Sequence, residues 1–246
     1  MNGGNAAAGF HTTHWSIVLA CGGEADTQQA RDALAQLFKS YWYPLYAYVR
    51  RRGYNEHDAE DLVQAFCVHL QEKHALAKAD PLRGKFRTFL LSSLQNFLAN
   101  EHVRANAQKR GGGENFVFID AETAHERYRA EPTHASTPDA IFEKRWAHAL
   151  LEQTLSGLRS DFSRRGKERL FDGLSPFLTS DAREESYQSA ANRLGLPLSA
   201  IKTSVHRMRQ DYRSRLREEI GRTVATPQEI DEELLHLRKV LASAVA

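Results

Sequence analysis

Residues 186–216 read SYQSAANRLGLPLSAIKTSVHRMRQDYRSRL, and this stretch decides the fold. Ser186 can cap a short helix with apolar positions Tyr187, Ala190, Ala191 and Leu194. Gly195 allows the left-handed conformation that ends such a helix, and Pro197 suits the first turn of the next. The second helix would bury Ile201, Val205, Met208, Tyr212 and Leu216, at spacings of 4, 3, 4 and 4. Its other faces show Lys202, Thr203, Ser204, His206, Arg207, Arg209 and Arg213. The small Ala190–Ala191 pair lets two helices approach closely. A compact first helix, a Gly turn and a long basic helix make a helix-turn-helix, whose second helix enters the DNA major groove. Lys and Arg bind phosphates and guanine edges, and Thr and Ser can bond to either kind of edge. The same residues also fit an αα-hairpin with a solvated basic face.

The charge pattern around this segment supports a polyanion partner. The chain has 246 residues, with 33 Lys and Arg against 31 Asp and Glu, a formal charge of +2. That sum conceals local blocks. Residues 28–110 hold 13 basic against 8 acidic side chains, and residues 186–222 hold 8 against 3. Between them, residues 111–140 hold 2 basic against 6 acidic. Two basic modules flanking an acidic connector suit a chain that grips one polyanion at two places. The connector opens on Gly111-Gly112-Gly113 and contains Glu131-Pro132 and Ser136-Thr137-Pro138, so it reads as a linker.

Almost everything else reads as helix; only Phe116-Val117-Phe118-Ile119 looks strand-like. Leu34, Leu37 and Phe38 lead into Tyr41-Trp42-Tyr43-Pro44, where Pro44 is expected to kink or restart the helix. Gly53 ends that segment after Arg50-Arg51-Arg52. Asn55 or Asp58 can cap the next helix, with stripe Leu62, Phe66 and Leu70. Phe86, Leu90, Leu94, Phe97 and Leu98 mark another, running to about Arg110. The expected fold is all-α: two helical modules joined by a flexible linker. The boundaries are an N-terminal extension at 1–27, a first module at 28–110, the linker at 111–138, a second module at 139–222 and a C-terminal amphipathic helix at 223–246.

Three separated motifs now bear on function. Tyr187-Gln-Ser-Ala-Ala-Asn-Arg-Leu-Gly through Ile201-Lys-Thr-Ser-Val-His-Arg-Met-Arg resembles region 4 of the sigma-70 family of bacterial RNA polymerase sigma factors. Asp58-Ala-Glu-Asp-Leu-Val-Gln-Ala-Phe is similar to the family's region 2.2, and Phe86-Arg-Thr-Phe-Leu with Asn96 and Arg104 to regions 2.3–2.4. Size and layout look like the extracytoplasmic-function, or group 4, branch. The resemblance implies a factor that binds core RNA polymerase, directs it to promoters and promotes melting of the −10 element. It places Asp58, Glu60, Asp61, Leu62 and Gln64 on the polymerase clamp helices. Arg83, Lys85, Phe86, Arg87, Asn96, Asn100 and Arg104 would meet −10 DNA, and Lys202, Thr203, Ser204, His206, Arg207 and Arg209 the −35 duplex. Without the resemblance, the acids of 58–61 read as helix N-terminal charges, and Phe86 and Phe89 as core. Departures from the family pattern are Ala65 for a common Glu, Phe89 for a common Trp, Asn100 for a frequent Asp, and Pro197-Leu198-Ser199 before the recognition helix.

The resemblance implies a non-catalytic subunit, and no zincin motif, P-loop or Rossmann fingerprint stands in the sequence. No cofactor or metal is expected. His11, His14 and Cys21 do not have a usual zinc spacing, and a packed N-terminal extension is the preferred reading. The cysteines Cys21 and Cys67 are too few for a disulfide framework. No signal peptide or membrane insertion is expected, so a cytoplasmic location is. Core RNA polymerase and promoter DNA are the expected partners, with an anti-sigma factor or other regulator as a further candidate. The capping box Thr226-Pro227-Gln228-Glu229 starts a last helix with Ile230, Leu234, Leu237 and Leu241 on one face. The preferred reading packs it on region 4; the alternative is a regulatory contact.

Overall fold

The computed structural model describes Trp15 and residues 28–71, 80, 84–107, 121–129, 137–178, 184–224 and 226–243. Among these residues all regular structure is helical: α1 (Gln28–Arg51), α2 (Glu56–Gln71), α3 (Phe86–Ala107), α4 (Ala121–Arg129), α5 (Pro138–Arg164), α6 (Glu168–Leu174), a 3-10 turn (Ser175–Leu178), α7 (Glu184–Leu194), α8 (Leu198–Gly221) and α9 (Pro227–Ala242). The strand-like residues 116–119, the triglycine at 111–113 and the His11, His14 and Cys21 set lie outside the described residues. The chain divides into two compact units, residues 1–147 with 220–246, and residues 148–219.

The first unit is built on aromatic side chains of α1. Leu34, Leu37, Phe38, Tyr41, Trp42, Leu45, Tyr46 and Val49 are buried, a stripe wide enough to accept two partner helices. The helix does not restart at Pro44 but runs through it. Pro44 removes one backbone donor, at a cost of about 3 kcal/mol, and burial of the surrounding stripe outweighs it. Gly53, at φ +98°, turns the chain, and its N–H donates to the Arg50 carbonyl at 3.0 Å. Of the two possible caps for α2, Asn55 is the one used: its side-chain oxygen accepts from the Asp58 N–H at 2.9 Å. The buried stripe of α2 is Ala59, Val63, Phe66, Cys67 and Leu70. Leu62 lies at its margin, half-buried. The stripe of α3 is the one read from the sequence, with Phe86, Leu90, Leu94, Phe97 and Leu98 all buried.

Two segments join this unit that the sequence assigns elsewhere. Within the connector, α4 packs on α1 and α2. His125 stacks on Tyr46 at 5.7 Å and meets the Glu56 carboxylate at 3.1 Å, while Arg50 lies 4.8 Å from the Tyr128 ring centre. This part of the connector is therefore a packed helix and not the flexible linker expected from the sequence. The last helix, α9, also belongs here: its polar contacts run to Lys85, Arg87 and Glu143. The preferred sequence reading packs this helix on the second module at 139–222; its contacts do reach Glu143 of that range, but they also run to Lys85 and Arg87 of the first module. An apolar stripe specifies that a helix face is buried, but not against which neighbour. For the same reason residues 139–147 fall in the first unit, where Ile141, Phe142 and Trp146 are buried.

The second unit closes around Leu158, Phe162, Phe171, Leu174, Phe177, Ala190, Ala191, Ile201, Val205 and Met208. Gly195 has φ +66°, and the Leu196 N–H donates to the Ala191 carbonyl at 3.1 Å, the bond of a Schellman turn. A side chain at Gly173 would meet Leu194 at 2.9 Å, so α6 and α7 touch through a glycine. Pro197 precedes α8, which starts at Leu198, and the Ile201 N–H bonds back to the Pro197 carbonyl at 3.1 Å.

Candidate nucleic-acid and polymerase interface

The first candidate surface is the outer face of α2. Asp58 and Asp61 are exposed, and Glu60, Leu62 and Gln64 are half-buried. A helix whose inner stripe is fully used thus leaves two carboxylates and the edge of a leucine outward. Asp58 also has a local duty, since the Asn55 amide donates to its carboxylate at 2.7 Å. Glu60 lies 3.7 Å from His125 of α4. One turn earlier, burial opposes ionisation of Glu56, but Arg129, His125 and Arg50 outweigh it and hold its carboxyl below its ordinary value.

The second surface is a cleft of about 590 Å³ beside α3. Lys85, Asn96 and Asn100, three of the residues expected at −10 DNA, line it together with Thr88, Phe89 and Trp15. Asparagine amides can read base edges, and aromatic walls can stack bases. Phe89 is half-buried, so it presents an edge to the cleft as well as to the core. Trp15 is a wall residue that the motifs do not include: it is buried, with ring centres 5.6 Å from Phe86 and 5.4 Å from Phe89. Nothing local in the sequence marks that long-range placement.

Two expected −10 residues are placed differently. Phe86 is wholly buried, edge-on to Tyr41 at 5.3 Å, so it is core. Arg87 is 8% exposed. Its Nε donates to Glu233 at 2.6 Å, it pairs with Glu143, and its guanidinium lies 4.9 Å from the Trp146 ring centre. Burial works against both charges, yet the pairing wins: Arg87 is held above its ordinary value and Glu233 below its own. In this structure Arg87 is engaged by carboxylates. Glu233 falls between Ile230 and Leu234 in the apolar stripe of α9, and a carboxylate in that position is the signal the sequence offers. Arg83 lies outside the described residues, and Arg104 is placed only as a residue of α3.

The third surface is α8 in the second unit. Lys202, Thr203, His206 and Arg207 are exposed and Ser204 is half-buried. The Thr203 hydroxyl donates to the Ser199 carbonyl at 2.9 Å, leaving its lone pairs outward. Arg209 is half-buried, and its Nε and Nη2 donate to the Phe177 carbonyl at 3.0 and 2.8 Å. It ties α8 to the 3-10 turn. Among the described residues no cluster of His, Cys, Asp or Glu could hold a metal, and no helix is long and apolar enough to cross a membrane.

The first unit thus presents an acidic outer helix face and an amide-lined cleft. In comparison with known families, residues 37–108 match the family model described as Sigma-70 region 2. That segment is similar to sigma-70 region 2 and spans less than half of the chain. Region 2 binds core RNA polymerase and −10 promoter DNA and serves transcription initiation and promoter melting, and sigma factors are non-catalytic polymerase subunits. No curated protein and no solved structure matches the chain.

Proposed function

We propose that this chain is a promoter-specificity factor of the extracytoplasmic-function type, reading −10 DNA with its first unit and −35 DNA with its second. The observation that carries the reading is the cleft beside α3, where Lys85, Asn96 and Asn100 meet within the segment matched to region 2. A flipped base can stack on Phe89, which Trp15 backs, and bond to the amides, with Lys85 near the backbone. In the second unit, the helix, glycine turn and long basic helix support a region 4 helix-turn-helix, with Lys202, Thr203, Ser204, His206 and Arg207 toward the groove. Asp58, Glu60, Asp61, Leu62 and Gln64 dock on the polymerase: carboxylates pair with cations of the partner, and Leu62 supplies an apolar anchor. Phe86 contributes by packing. Arg209 holds α8 in place, and its share in DNA contact is at most indirect.

Affinity capture of core RNA polymerase tests the docking face. Asp61→Arg keeps its fold by circular dichroism, because Asp61 is exposed, and loses core binding by about tenfold or more, the scale of one disrupted charge pair at an interface. Undiminished capture by Asp61→Arg would remove α2 from the interface.

A further inference from the structure

The last helix sets a carboxylate of its second turn on the cations that flank the start of α3. Glu233 is 0% exposed. One of its oxygens accepts from Arg87 Nε at 2.6 Å, and the other lies 2.8 Å from Lys85 Nζ and 3.3 Å from Arg87 Nη2. Glu232 lies 3.7 Å from the same ammonium. On the far side of Arg87, Glu143 completes the cluster and meets His236 of α9 at 2.8 Å. The Phe86 N–H donates to the Thr223 carbonyl at 3.1 Å, which fixes the approach to α9. Lys85 is at once a partner of Glu233 and a wall of the cleft.

A carboxylate clasped by an arginine fork and an ammonium is bound as a phosphate would be. We propose that α9 is an internal competitor of DNA: Glu233 occupies the two cations that a phosphate of single-stranded −10 DNA would take, and the helix leaves when that strand binds. The inference rests on the −10 reading of the cleft. The build of α9 suits exchange. Of its 16 residues only Glu233 and Leu237 are buried, and Leu235 is 53% exposed. A helix needed solely for stability would do as well or better with an apolar residue at 233, since a buried ion pair rarely outperforms apolar packing. Departure of the helix does not strand charge, because Glu233 becomes hydrated while Lys85 and Arg87 take the phosphate.

The test uses the full chain and a short fluorescein-labelled single-stranded DNA of random sequence, followed by anisotropy across a salt series. Glu233→Gln is expected to bind about five to ten times more tightly, with a salt slope steeper by about 1.4, the increment for two newly available cations on a single strand. In the unaltered chain, hydrogen exchange over residues 227–242 should accelerate when the same DNA is added. This measurement decides the matter even if Glu233→Gln fails to fold. DNA binding by the unaltered chain with residues 227–242 still protected overturns the competition and leaves the −10 reading standing. A chain with no affinity for single-stranded DNA, in which Glu233→Gln is equally inert, overturns the −10 reading and the competition with it.

Discussion

Two arginines two residues apart on α8 show how position on a helix sorts function from structure. Arg207 is exposed, whereas the Arg209 guanidinium is engaged by the Phe177 carbonyl. Both have the same chemistry, and the sequence offers both to DNA. The helical period separates them by about 200°, so they cannot share a face. Arg207→Ala should weaken binding to duplex −35 DNA and leave the melting temperature where it was. Arg209→Ala should cost about 2 kcal/mol of stability, the value of hydrogen bonds made by a charged donor, seen as a lower denaturation midpoint. Equal melting temperatures for the two variants would contradict this division. At the same scale, Cys67 is buried, and burial pushes its thiol up to about 12, so it is not a reactive thiol.

At the scale of elements, the helices are legible where a stripe and a stop signal coincide. The α7–α8 turn is the clearest case. Gly195 sits at φ +66°, and a methyl group placed there would meet nothing within 4 Å, so only backbone strain opposes substitution. Gly195→Ala should therefore destabilise the second unit by about 1 kcal/mol, read as a shift in its unfolding midpoint; a neutral result would mean that the turn tolerates another conformation. The stripe of α3 is equally plain, and the capping box of α9 lies where the sequence sets it, with the Thr226 N–H bonded to Glu229 at 2.9 Å. What a stripe cannot convey is the neighbour it meets. So α9 reads as a separate helix packing on the second module and falls in the first compact unit, and α4 reads as linker and is packed against Tyr46 and Glu56. Pro44 shows the converse: a strong local breaker yields to a buried aromatic face.

Across the whole molecule, the near-neutral charge of +2 is a sum over surfaces with separate tasks. An acidic face on α2, an amide and lysine cleft beside α3 and a basic α8 are the parts a promoter-specificity factor needs. Of the candidate residues, Asp58, Asp61, Asn96, Asn100, Lys202, Thr203, His206 and Arg207 are exposed, whereas Phe86 is packed in the core, Arg87 is paired with carboxylates and Arg209 is bonded to a backbone carbonyl. Those pairings join residues far apart in sequence, Arg87 and Glu233 being 146 positions apart, and no local pattern reports them. The central claim is tested most directly by adding the chain to core RNA polymerase on fragmented genomic DNA and mapping transcript starts. The account predicts starts that depend on the chain and share sequence elements at the −10 and −35 positions. Transcript starts unchanged by the chain, with the chain binding DNA but not core polymerase, would contradict it.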